Sequence, residues 1–99
     1  MIKMFAKIHE IENRIILAVC DKELVGKSFE DKKIFFTASE KFYKEKEINQ
    51  KDLETLLEEA DSINLFGNKC IKIAEKQGLI NETQIILING IKHAQVYKV

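Results

Sequence analysis

The side chain best suited to chemistry in this sequence is His93, because an imidazole with an ordinary pKa of about 6.5 can donate or accept a proton at neutral pH. Gln95 follows two residues later, so its amide could orient a ligand beside the ring. Two alternatives stay open: a core histidine bonded to a backbone carbonyl, and a glutamine that satisfies a buried backbone group. The pair is a candidate binding site, with His93 the candidate catalytic residue.

Asp21 and Lys27 are further candidate binding residues, on either side of a short turn. Asp21 follows the apolar run RIILAVC, and strand ends are where open sheets commonly place binding sites. As a plain cap of the turn KELV, which stops at Gly26, Asp21 needs no function. Lys27 could meet an anion, although a lysine in a lysine-rich chain also suits solvated surface.

Asn64, Gly67 and Asn68 interrupt an otherwise helical pattern and are candidate binding residues for that reason. Glycine inside a helix costs about 1 kcal/mol relative to alanine, so its presence needs a cause. Close packing of a helix on the sheet is one cause. Backbone access for a ligand near the two asparagines is the other. Both predict that Gly67 is buried.

No cofactor and no metal are expected. The two cysteines and two histidines lack the close spacing by which zinc sites place two ligands on one turn. Phosphate-loop, dinucleotide-binding and Ser/His/Asp signatures are absent from the sequence. Cys20 and Cys70 are too few for a disulfide framework and are predicted to be small, partly buried thiols.

The charge balance argues against long-range attraction to nucleic acids or anionic membranes. Sixteen basic and sixteen acidic residues cancel, so only weak or no binding to naked nucleic acid is expected. In KFYKEKEINQK two aromatic residues could stack on RNA bases, but the interleaved glutamates favour a solvated loop. No apolar run approaches the roughly 20 residues of a membrane span. With the charged start MIKMFAKIHE, this predicts a cytoplasmic protein without membrane contact.

Alternating short elements must position these residues. Period-two patterns predict an N-terminal hairpin of residues 2–8 with RIILAVC, a third strand at KKIFFTA, and a C-terminal hairpin around Asn89-Gly90, a pair suited to a type I′ turn. After the third strand, Ser39 with EKFY is predicted to form a capped turn. Helical spacing predicts two consecutive helices, from about residue 50 to 61 and from Ser62 to Gly78. We expect one α+β domain over residues 1–99, with a mixed or antiparallel sheet and the helix pair on one face.

The C-terminal turn determines which residues share a face of the sheet. A two-residue turn pairs Ile88 with Ile91 and Ile86 with His93. One face then holds Ile86, Ile88, Ile91, His93, Gln95, Tyr97 and Val99, and the other holds Lys92, Ala94 and Lys98. Because the first set carries the large apolar side chains, it is predicted to face the core. There His93 and Gln95 need partners or a cleft.

Three segments, AVCDKELVGKSF, SINLFGNKC with the following AEKQGLI, and GIKHAQVYKV, resemble a small archaeal family known as domain of unknown function 424. The resemblance spans nearly the whole chain. It implies an archaeal cytosolic protein of general housekeeping character and supplies no activity. Its motifs fall on Cys20, Asp21, Leu24, Gly26 and Lys27, then on Asn64, Leu65 and Gly67, and then on Gly90, His93, Ala94 and Gln95.

Two hypotheses on function follow. Small size and charge balance favour a binding module, monomeric or homodimeric, with a protein or ribonucleoprotein partner; a link to translation or ribosome-related machinery is part of this hypothesis. The rival is a small enzyme or ligand-binding protein that uses His93 as acid or base in a cleft with Gln95, Asp21 and Asn64. Convergence of those four side chains on one cleft would separate the two hypotheses.

Overall fold

The fold begins with the predicted N-terminal hairpin. A computed structural model describes residues 1–98, in which β1 (Met4–Ile11) and β2 (Arg14–Asp21) pair antiparallel. Two 3-10 turns span Lys22–Leu24 and Glu82–Gln84. No helix in this described part is long and apolar enough to cross a membrane. The other elements are β3 (Ser28–Asp31), β4 (Ile34–Thr37), α1 (Glu40–Tyr43), β5 (Lys46–Ile48), α2 (Gln50–Glu59), β6 (Ser62–Phe66), α3 (Asn68–Lys76), β7 (Ile85–Ile88) and β8 (Ile91–Tyr97).

Six strands form one mixed sheet in the order β5-β1-β2-β6-β8-β7, and β3 and β4 form a separate hairpin. The central pair, β2 and β6, is parallel, and the other neighbouring strands are antiparallel. The chain is therefore α+β with a mixed sheet, as predicted. The C-terminal turn is also confirmed, because Asn89 and Gly90 both have positive φ and Ile86 pairs with His93.

The predicted helix from Ser62 to Gly78 is wrong in its first part. Residues Ser62–Phe66 form strand β6, and α3 begins only at Asn68. The apolar positions of this segment fit helical spacing, but Ile63 and Leu65 also alternate. Strand β2 provides a parallel partner whose backbone pairs with that of β6. Gly67 separates strand from helix with φ of +129°, a conformation that L side chains rarely adopt.

Both faces of the sheet are covered at least in part, but the face of β8 that was predicted to meet the core is not the one that the larger core occupies. Helices α2 and α3 cover one face, where Ala94 and Val96 of β8 join the larger apolar core. The β3–β4 hairpin and α1 cover part of the opposite face, where a smaller core surrounds Phe66. His93 lies on this second face, with its ring centre 5.1 Å from that of Phe36 in the hairpin. The helix pair therefore packs on the face away from His93.

The carboxylate of Asp21 joins the end of β2 to the N-terminus of α3. Its two oxygens accept hydrogen bonds from the backbone N–H groups of Lys69 and Cys70, each at 2.9 Å. The predicted capping of the adjacent turn is wrong, because the Asp21 side chain makes no cap hydrogen bond there. α3 has Gly67 at its N-cap position, so this distant carboxylate supplies the acceptor that a local Ser or Asp would usually provide.

Gly67→Ala is expected to destabilise the fold strongly. A Cβ at Gly67 would lie 2.3 Å from Asp21 Cγ, and φ of +129° is strained for alanine. Overpacking and backbone strain each cost about 1 to 3 kcal/mol, so the free energy of unfolding should fall by roughly 2 to 6 kcal/mol. The control is Gly78→Ala, where φ is +75° and nothing lies within 4 Å, with an expected cost of about 1 to 2 kcal/mol. Equal losses of the two variants in urea unfolding would contradict the packing account.

Candidate functional site

Asp21 and Lys27 lie apart from His93. Asp21 is only 2% exposed and bonds to α3 on the helix-covered face, whereas His93 lies on the opposite face. Burial raises the pKa of the Asp21 carboxyl, and the hydrogen bonds that it accepts from two backbone N–H groups oppose this rise. Lys27 is exposed, and its carbonyl accepts a hydrogen bond from the N–H of Ala38 at 2.9 Å. The four side chains of the hypothetical catalytic cleft therefore do not converge.

Gly67 and Asn68 continue the contact between β6 and β8 beyond the end of β6. The N–H of Gly67 donates to the Lys92 carbonyl at 2.9 Å, and Oδ1 of Asn68 accepts from the Lys92 N–H at 2.9 Å. Gly67 is buried, as both sequence interpretations require. The reason for a glycine at this position differs from the predicted packing of a helix on the sheet. The carboxylate of Asp21 occupies the space that a side chain at position 67 would need. Both residues thus have a place in the architecture.

His93 is held by a backbone carbonyl on the neighbouring strand. Its Nδ1 lies 2.9 Å from the carbonyl oxygen of Leu65, which can only accept, so Nδ1 carries the proton. The residue is 8% exposed, and this burial lowers its pKa, while the bond to Leu65 opposes the shift. A neutral ring leaves Nε2 as an acceptor, to which no hydrogen bond is formed within residues 1–98. His93 lines an open depression of about 230 Å³ with Gln84, Ile86 and Gln95.

Asn64 and Gln95 form a pair of side-chain amides on the same face as His93. They lie directly opposite each other on β6 and β8. The oxygen of each amide is engaged, since Tyr43 Oη donates to Asn64 Oδ1 at 2.6 Å and Tyr97 Oη donates to Gln95 Oε1 at 2.9 Å. The two NH₂ groups make no hydrogen bond within residues 1–98. The pair therefore presents two oriented sets of donors.

This amide pair lines a small cleft of about 120 Å³. It lies where the hairpin and α1 leave the second face of the sheet uncovered. We define the amide face as Asn64, Gln95, Ser62, Tyr97 and Phe42, which line the cleft together with Ile16 and Ile63. Donors between aromatic rings are suited to binding an acceptor group such as a carbonyl, a phosphate or the edge of a base.

Tyr43 is the residue at this site that sequence reasoning missed. It belongs to KFYKEKEINQK, which the alternating charges predict to be a solvated loop. Instead it lies in α1 and is almost fully buried, so burial raises the pKa of its hydroxyl. The predicted turn capped by Ser39 is confirmed as α1, in which the Ser39 side chain accepts from the Phe42 N–H at 3.3 Å. That pattern does not show that Tyr43 is buried.

The thiols are poorly suited to nucleophilic chemistry. Cys20 and Cys70 are free and buried, as predicted. Burial is the largest cause that raises both pKa values, that of Cys20 to about 12, so both thiols stay protonated at neutral pH. Within residues 1–98, no group of three or more His, Cys, Asp and Glu side chains is placed to hold a metal ion.

Comparisons with known proteins bear on family and fold. The model of a family described as Protein of unknown function (DUF424) matches residues 9–99. A crystal structure of an uncharacterized conserved protein from Methanopyrus kandleri is similar, with 27% sequence identity and a TM-score of 0.79. The likeness covers 98% of this chain and 92% of that one, so it includes the whole arrangement described above. A search of curated proteins found no match.

The lowered pKa of His93 predicts a pH dependence of stability. The unfolded chain takes up a proton near pH 6.5, whereas the folded chain does so only at lower pH. Below pH 6.5 the unfolded state therefore binds more protons than the folded state. The free energy of unfolding decreases as the pH is lowered, by at most about 1.4 kcal/mol per pH unit. His93→Gln should lose less stability than wild type between pH 7 and pH 5 in urea titrations. Parallel losses would show that the His93 pKa is not lowered.

Proposed function

The chain belongs to the family described as Protein of unknown function (DUF424), and we propose that it is a small binding module that uses the amide face. The amide pair carries this proposal. The buried Tyr43 hydroxyl fixes the amide of Asn64 with its NH₂ group free to donate, and Tyr97 binds the oxygen of Gln95 at the surface, so the NH₂ group of Gln95 is free as well. Donors fixed in advance lower the entropy lost on binding, which is the usual advantage of a preorganised site.

The partner that we propose is a protein or ribonucleoprotein of the cytoplasm, with translation or ribosome-related machinery as the setting. A zero net charge gives the chain no long-range field, so recognition would rest on hydrogen bonds and shape. Local positive charge is nevertheless present, because Lys7 and Lys41 line an open depression that shares Phe42 with the amide face. A donor pair next to two lysines suits a surface made of both protein and RNA. Naked RNA should bind weakly.

Exchange of donors for acceptors tests this proposal. Gln95→Glu and Asn64→Asp keep the oxygens that accept from tyrosine and replace the NH₂ groups, so a bound acceptor would face an acceptor. Loss of such a hydrogen bond costs about 1 to 3 kcal/mol, and retention of partners should fall about tenfold or more. The measurement is capture on the immobilised full chain from a lysate of the source organism, with bound proteins and RNAs quantified.

The matched control is Gln77→Glu, which makes the same charge change at an exposed position next to the end of α3. It should retain the partners of wild type. If the variants of the amide face retain them equally well, or if wild type enriches nothing over blank resin, the proposal is wrong.

A second candidate function is ligand binding or catalysis at His93. One observation favours it: the Leu65 carbonyl fixes the Nδ1–H tautomer, so Nε2 is available as acceptor or base in a residue that lines an open depression. Thermal shift of wild type against a panel of carboxylic acids, sugars and nucleotides tests it. A stabilising compound should lose its effect in His93→Gln and in Gln84→Glu but keep it in Asn64→Asp. A compound that still stabilises His93→Gln excludes this candidate.

A further inference from the structure

Strand β7 has an unprotected edge. It is the last strand of the sheet, and it pairs with β8 on only one side within residues 1–98. Its sequence, IILI, contains neither charge nor proline, and its middle residues Ile86 and Leu87 are 51% and 57% exposed. Folded proteins usually interrupt such an edge with charges, proline or a bulge, because its unpaired N–H and C=O groups accept another strand.

The opposite edge of the same sheet shows the usual protection. Strand β5 has the sequence KEI, and Glu47 in its centre forms ion pairs with Lys3 at 3.2 Å and Lys22 at 2.8 Å. A strand added there would have to displace or bury these charges. The contrast between the two edges assigns strand addition to β7.

We propose that a second copy of this chain pairs with β7, antiparallel, across a two-fold axis perpendicular to the sheet. Such an axis keeps the same face of both sheets on the same side. Even-numbered residues of β7 therefore lie opposite even-numbered residues of the second copy, and odd-numbered opposite odd-numbered. With Ile86 on the axis, it lies opposite Ile86 of the second copy, and Leu87 lies opposite Ile85. Only apolar residues then meet along the centre of the joint, which is the self-complementarity that an isologous dimer needs.

The charges at the two ends of β7 are complementary in this arrangement. Glu82 lies four residues before Ile86, so antiparallel pairing brings it towards Gly90 in the turn between β7 and β8 of the second copy. That turn is next to the tip of the β3–β4 hairpin, because Asp31 Oδ2 accepts from the Asn89 N–H at 2.8 Å. The tip carries Lys32 and Lys33 next to this carboxylate, so two ammonium groups outnumber the one acidic group that contacts the turn. The two-fold axis produces the same approach of opposite charges twice, and it selects a second copy as the occupant.

The dimer would form one sheet of twelve strands with two amide faces on the same side. Neighbouring strands are about 4.8 Å apart, so the two β8 strands would be separated by roughly 14 Å. A partner could then contact both copies at once, and avidity would increase the retention of such a partner. The pairing of β7 does not depend on the proposed function, and it can hold where the amide face has no partner.

Sedimentation equilibrium of the full chain over a range of concentrations tests the dimer. Wild type should dimerise, and Leu87→Lys should raise the dissociation constant at least tenfold by placing a charge in the joint. The matched control is Ile11→Lys, at an equally exposed apolar position on β1, with 57% exposure. It should dimerise as wild type does. Circular dichroism checks that both variants are folded.

Charge exchange is the second test, and it uses variants that leave the core untouched. Glu82→Lys should weaken the dimer several-fold, and combining it with Lys32→Glu and Lys33→Glu should restore it. A wild type that stays monomeric at the concentrations of NMR samples overturns the proposal. So does a dimer that Leu87→Lys leaves intact. A monomer that loses a different protein partner when Leu87 is changed assigns the edge to that partner and also rejects the second copy.

Discussion

The hydrogen bonds from the backbone of α3 to the carboxylate of Asp21 are the constraint on which the rest of the structure depends. They join the end of β2 to the first turn of a helix whose residue Lys69 lies 48 residues after Asp21 in the chain. The carboxylate occupies the space beside Gly67, so that position excludes a side chain. The N–H of Gly67 in turn donates to Lys92, which sets the register of β8 against β6. The position of Asn64 opposite Gln95 follows from this register.

The polarity of the second face follows how well it is covered. Along β6 the residues on this face are Ser62, Asn64 and Phe66, and only Phe66 lies in the apolar core under the hairpin. Strand β8 shows the same gradient, from buried His93 to exposed Gln95. Polar side chains therefore occupy the uncovered end, where burial without a partner would be costly. The need of the buried Tyr43 hydroxyl for an acceptor explains the oxygen of Asn64 but leaves its NH₂ group without a structural task.

The elements that could be predicted from the sequence are those whose cause is local. The turn at Asn89-Gly90 needs only residues that tolerate positive φ, so the pairing of Ile86 with His93 followed from four neighbouring residues. The strand at Ser62–Phe66 could not be recognised, because its partner β2 lies far away in the sequence and the same apolar residues fit a helix. The amide site was found only in part for the same reason: Asn64 and Gln95 were candidates, whereas Tyr43 depends on a tertiary contact.

The residues that carry the family resemblance divide into two groups once their contacts are known. Asp21 and Gly67 are required by the junction between β2 and α3, and His93 donates to the backbone of β6. The contacts of Asp21 and Gly67 are explained by this junction, so these two residues say little about function. Asn64 and Gln95 differ, since their NH₂ groups are not used within residues 1–98. A motif residue that the architecture does not explain is better evidence of a binding site than one that it does, and this difference directs the search to the amide face.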